Sequence, residues 1–189
     1  MVMVVHRRTF LALLGAGSAV LAGAGSAEAS VARAISLNAL VKRAKSVVVG
    51  MPLAASSEWA EIGGTRRIVT ITRVRVDEHV ARLAPDASEV LVRTLGGRIG
   101  KLGQVVHGEA ELRSSEPCLL FVEDASSGLS VVTAMAQGHY PVVSEAGGRS
   151  LKRSPGLAKL VMAPDAAVER LSGQSMAAAA RLVREADKP

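Results

Sequence analysis

Three groups of side chains in this 189-residue sequence are of the types that do chemistry: a single cysteine, four histidines and a glycine run that carries two cations. Cys118 can act as a nucleophile only if a base such as His107 or His139 takes its proton. It stands, however, in PCLLFV, where Leu120 and Val122 share its alternation. A strand here buries the thiol as a small, inert apolar group. His79, His107 and His139 have no metal-ligand spacing and read as exposed loop residues. The glycine run, GGRIGKLGQVVHG, holds Gly96, Gly97, Gly100, Gly103 and Gly108 around Arg98 and Lys101. Such a density of glycine implies positive-φ turns or close backbone approach, and bare N–H groups beside two cations can cradle an anion or an acidic partner. Trp59 and Tyr140 join Arg98 and Lys101 as candidate binding residues, since these aromatics are enriched at interface hot spots and each is read in a connection between strands.

No coherent catalytic set, cofactor or metal site emerges. The expectation is therefore a non-catalytic binding module whose partner is a protein or an anionic envelope component. The rivals are a secreted hydrolase using Cys118 or a serine with a histidine, and a purely structural envelope protein. Specific enzyme patterns fail on single residues. Leu95 stands where a phosphate-binding P-loop requires its first glycine, and Leu102 where it requires Ser or Thr. His107-Gly108-Glu109 with Pro117-Cys118 departs from the zinc-deaminase pattern, because Phe121 replaces the second cysteine and the separation is too short. Gly173-Gln174-Ser175-Met176-Ala177 lacks the second glycine of a nucleophile elbow.

The formal charge of +6 suggests nucleic acid, but aromatic residues make up only 2% of the chain. Trp59, Phe121 and Tyr140 are not interleaved with the arginines, so the stacking platforms of single-strand binders are missing and nucleic acid is not a partner.

The element that must position these residues is the stretch from Thr65 to Val80, a strand free of Gly and Pro. Ile68, Thr70, Thr72, Val74 and Val76 form a register able to face a core throughout. Val69, Ile71, Arg73, Arg75 and Asp77 begin apolar and end charged. Ahead of it, Ser36 caps a helix to Ala44, a strand spans Ser46–Leu53, and a polar connection runs from Ala54 to Gly64. Behind it come strands at Glu89–Leu95 and Pro117–Asp124, a hairpin into LSVVTAMAQ, and a short strand at Val142–Val143. From Gly147 the chain reads as helical, with helices over Pro164–Leu171 and Gln174–Ala186. The fold class expected is mainly β, a small five- to six-stranded barrel with a short N-terminal helix and C-terminal helices.

At the N-terminus, Arg7 and Arg8 precede an uncharged run from Phe10 to Ala27, and Ala27-Glu28-Ala29 forms a small-x-small cleavage site. His6-Arg7-Arg8-Thr9-Phe10-Leu11 resembles the twin-arginine export signal. The resemblance implies export to the periplasm or the cell exterior, with no stable membrane span once the signal is removed. The expected organisation is a signal peptide over 1–29, a β-barrel domain over 30–146 and a helical extension over 147–189 packed on the barrel. A mature chain of roughly 160 residues can bury about 70% of its unfolded surface without disulfides.

Ala44-Lys45-Ser46-Val47-Val48-Val49-Gly50 is similar to the opening of netrin-module and metalloproteinase-inhibitor domains, where a helix runs into a strand of the form A-D-V-V-x-G. The Ile68–Val76 strand and Leu119-Leu120-Phe121 sit where that OB-like barrel places strands. The resemblance, shared with uncharacterised exported bacterial proteins, implies a fold and no activity. The cysteines of those domains are missing, and with them the metal-chelating N-terminal Cys on which their inhibitory mechanism depends.

Overall fold

The computed structural model describes residues 32–82, 87–125 and 128–188. Arg7, Arg8, Ala27 and Ala29, and with them the expected signal peptide, lie outside the described residues, as do the turn residues Ala84, Pro85, Asp86, Ser126 and Ser127. The described chain is mainly β. After a short strand β1 (Ala32–Arg33) comes helix α1 (Leu37–Arg43), whose cap is Ser36: its hydroxyl accepts from the Ala39 N–H at 3.2 Å. Two strands of equal length follow, β2 (Ser46–Ile62) and β3 (Thr65–Ala81), turned by Gly63 and Gly64, both at positive φ. The remaining strands are β4 (Glu89–Leu95), β5 (Gly97–Ile99), β6 (Leu102–Gln104), β7 (Cys118–Asp124), β8 (Ser130–Val132), β9 (His139–Glu145), β10 (Gly148–Leu151) and β11 (Leu160–Val161). Helices α2 (Ala167–Leu171) and α3 (Met176–Ala186) complete the order.

Seven strands form one sheet in the order β10-β9-β7-β2-β3-β4-β8. Because β8 pairs parallel with β4 and antiparallel with β7, the ladder β7-β2-β3-β4-β8 returns on itself. All five strands of this circuit supply one apolar cluster: Val48, Val74, Val92, Val132, and Cys118, Leu120 and Val122 of β7. Ala110, from the segment after β6, closes over them. The register expected of β3 holds, with Ile68, Thr72 and Val74 buried and Arg73, Arg75 and Asp77 exposed.

The outer faces of β2 and β7 are buried as well. Val47, Val49, Leu119 and Phe121 pack with Leu40 and Val41 of α1, Leu171 of α2 and Val183 of α3. Burial on both faces explains why VVV and CLLFV show no polar alternation. Each large side chain removed from water contributes about 1.5–3 kcal/mol.

Three differences from the sequence reading concern strand extent. Ala54–Ile62 belongs to β2 and pairs with β3 to the hairpin end, so it is no polar connection. Tyr140 lies inside β9, which runs well beyond Val142–Val143 in both directions. The chain is not helical from Gly147: Gly148, at φ 112°, turns it into β10, which pairs with β9.

Candidate functional site

Four residues build one hydrogen-bonded chain at the far end of the β2–β3 hairpin. The Thr70 hydroxyl donates to the Gly96 carbonyl at 2.8 Å and lies 3.0 Å from the Ser57 hydroxyl. With the Thr70 proton committed to Gly96, Ser57 donates to Thr70 and accepts from the Arg98 N–H at 3.3 Å. Ile68 adds a second anchor, its N–H donating to Gln104 Oε1 at 2.9 Å. Together these bonds fasten the glycine segment, which is a short β5–β6 hairpin, across the β2–β3 pair. Gly97 is required where it stands, at φ 135°: a Cβ there would overlap the Thr70 hydroxyl and come within 2.5 Å of Ser57 Oγ. The hairpin thus combines both features expected of the glycine run, positive φ and close backbone approach.

Beyond the anchored base, Arg98, Lys101 and Leu102 are exposed, and the Arg98 Nε donates to the Gly100 carbonyl at 3.1 Å. Trp59 is 41% exposed and follows Ser57 on the same face of β2. The Arg66 guanidinium carbon stands 4.7 Å from its ring centroid. Of the four expected binding residues, the structure therefore places Arg98, Lys101 and Trp59 on accessible surface at this end of the molecule. Tyr140 is different. It is buried against Phe121, ring centroids 6.2 Å apart, so burial removes it from any surface site and raises the pKa of its phenol.

Beside the hairpin lies a cleft of about 830 Å³ whose walls include Thr70, Thr72, Thr94, Gln104, His107 and Glu109, together with Pro155–Lys159. The Glu109 carboxylate accepts from the Leu95 N–H and from the Ala110 N–H, each at 3.0 Å. Burial raises its pKa, and those two bonds oppose the rise. It acts as a splint between β4 and the segment over the ring rather than as a free base. Sequence reading missed this cleft, since its walls come from segments with no shared motif.

No protein-family model, no curated protein and no solved structure matches this chain.

No hydrogen bond joins the catalytic candidates, Cys118 and His139, which have other partners. Cys118 is buried in the ring, its thiol 3.9 Å from the Gly50 carbonyl, and burial, aided by Glu116, pushes its pKa up to about 12. His139, expected in an exposed loop, is a buried β9 residue whose Nδ1 lies 2.8 Å from the Ser154 hydroxyl. Burial, with a contribution from Arg113, lowers its pKa to about 4, so it is neutral at physiological pH. This serine–histidine contact is buried at both ends and fastens the wall of the cleft to β9. His79 is a half-buried strand residue whose Nδ1 has no partner; His107 alone is exposed as expected, on the cleft wall. Among the described residues no cluster of His, Cys, Asp or Glu is disposed to hold a metal. Among them, too, no helix is long and apolar enough to cross a membrane.

Proposed function

We propose that this chain is an exported, non-catalytic binding module, an OB-like barrel that meets a protein or an anionic envelope component through the Arg98–Lys101 hairpin. The order of the closed circuit supports the barrel reading. Three antiparallel strands are followed by a parallel pairing of β4 with β8, while β7 closes the ring between β8 and β2, a five-stranded Greek-key arrangement. Export rests on Arg7, Arg8 and the Ala27-Glu28-Ala29 site.

The observation that carries the functional reading is the hairpin itself. It is held at its base by side-chain hydrogen bonds, yet presents two cations, Arg98 and Lys101, that pair with no carboxylate among the described residues. Rigid support under an exposed charged tip lowers the ordering cost of binding. The hydrolase alternative gains nothing comparable, because the thiol and the serine–histidine contact are both closed to substrate. Capture of envelope material by the immobilised mature chain, repeated with Arg98→Ser combined with Lys101→Ser, tests the proposal. Undiminished capture by the double variant counts against it.

A further inference from the structure

The outer edge of β2 changes character at Ala54. Up to Gly50 it is paired with β7, after which the Pro52 carbonyl accepts from the Ser115 N–H at 2.9 Å and the Leu53 carbonyl from the Ser114 hydroxyl at 2.7 Å. From Ala54 onward, the edge of β2 away from β3 pairs with no other strand among the described residues. Ile68 shows which groups face outward. Its N–H donates to Gln104 and its carbonyl accepts from the Gly96 N–H at 2.8 Å, so both turn away from β2. In an antiparallel pair, the residue opposite one that faces away also faces away. Trp59 is opposite Ile68, and Ser57 and Ala55 follow at the same parity. These three residues therefore direct their N–H and C=O groups outward from the sheet.

Among the described residues this edge is lightly guarded, Glu58 and Glu61 being the only charges on it. Ala54, Ala55 and Ser56 are exposed in succession, leaving both faces open. Neither Pro nor Lys interrupts Ala54–Ile62, and no bulge turns it aside after Ala54. Natural edge strands are normally blunted by such devices, because an open ladder recruits another strand.

We infer that this edge receives an extended, carboxylate-bearing segment of a partner polypeptide as an added β-strand, an inference that rests on the binding reading above and names the partner's form. Main-chain bonds to Ala55, Ser57 and Trp59 give the attachment, and alternate side chains of the incoming strand fall on the face that carries the hairpin. That face presents Arg98 and Lys101, and its one β2 carboxylate, Glu61, lies opposite Arg66 in the ladder; Glu58 is on the other face by alternation. Acidic side chains on the arriving strand therefore meet cations. A second copy fits poorly. Antiparallel pairing of two β2 edges about a twofold axis sets the same faces side by side and brings both Arg98–Lys101 hairpins together, like charge against like.

Amide hydrogen exchange with a capped peptide alternating Val and Glu, long enough to span Ala55 to Trp59, tests the inference. At saturation the amides of Ala55, Ser57 and Trp59 should slow at least tenfold, while those of Ser56 and Glu58, already in the ladder with β3, stay unchanged. Ala55→Pro removes one outward donor from an edge, where proline is tolerated, and should weaken the peptide at least tenfold; Ala55→Ser should not. Methylating alternate amides of the peptide should abolish binding without altering the protein. Absence of protection at the three amides at millimolar peptide, or equal affinity of wild type and Ala55→Pro, overturns the inference. So does protection of the same amides without peptide in a chain that sediments as a dimer, which would assign the edge to a second copy. If Arg98→Ser with Lys101→Ser abolishes peptide binding while Ala55→Pro does not, the added strand is overturned and the cationic hairpin stands. If neither change has an effect, both readings fall.

Discussion

Ser57 and Thr70 face each other across the β2–β3 ladder with their hydroxyls 3.0 Å apart, and the glycine hairpin hangs on this pair. Thr70 donates to Gly96 and Ser57 accepts from Arg98, so the two hydroxyls join the start of the hairpin to the strands beneath it. Thr70→Val keeps the shape and removes both bonds of that hydroxyl. The expected loss is about 1–3 kcal/mol, because the Gly96 carbonyl loses its side-chain donor. Faster exchange of the Arg98 amide should accompany it, and an unchanged exchange rate would show that the pair does not hold the hairpin.

Val74 and Arg75 test the two faces of β3. Val74 is fully buried inside the ring, so Val74→Asp should cost several kcal/mol, enough to unfold a domain of ordinary stability. Arg75 is exposed and, among the described residues, pairs only with Asp77, so its loss should leave the melting midpoint nearly unchanged. Thermal melts of the two variants decide; equal midpoints would mean the faces are misassigned.

Both residues were legible from alternation alone; the Ser36 cap was legible from its residue type ahead of a helical stripe, and β4 from the turn signal before it and the glycines after it. The far half of β2 was not. Ala54, Ala55, Ser56 and Ser57 have weak strand propensity, and their extended form is imposed by the ladder with β3 rather than by their own preference. Tyr140 misled for a related reason. Gly138 and Pro141 bracket it like a turn, yet the Pro141 carbonyl still accepts from the Lys152 N–H at 2.8 Å and the strand runs through. The surface cations and Trp59 were visible as residue types. Their common support, and the contact of His139 with Ser154, depend on register and tertiary pairing that no local pattern records.

Cys118 should resist a thiol reagent in the native protein and react once denaturant is added. A thiol with its pKa near 12, inside the closed circuit, offers neither thiolate nor access. Rapid labelling of the folded chain would return the nucleophile to consideration.

Acid should weaken the fold through His139. Burial lowers its pKa from the ordinary 6.5 to about 4 in the folded chain, so the unfolded state takes up its proton first. Neutral burial contributes fully above pH 6.5, and stability drains away as pH falls from there through 4, by about 3 kcal/mol in all. Glu109 has the opposite sign: its raised pKa favours the folded state at acid pH and that contribution fades as pH rises. Denaturant titrations across this range should show the loss for wild type and a flatter profile for His139→Gln. A wild-type profile without the loss would contradict the assignment.

The most direct measurement of the central claim is the affinity for captured envelope partner across a salt series, for wild type and for Arg98→Ser combined with Lys101→Ser. Exposed cations act over a screening length of about 8 Å at physiological ionic strength, so wild-type binding should weaken steadily as salt rises. The double variant should bind weakly at every salt concentration, lose most of the salt dependence, and melt within about 0.5 kcal/mol of wild type in stability. Wild-type affinity that ignores salt and survives the double substitution would contradict a binding module built on this hairpin.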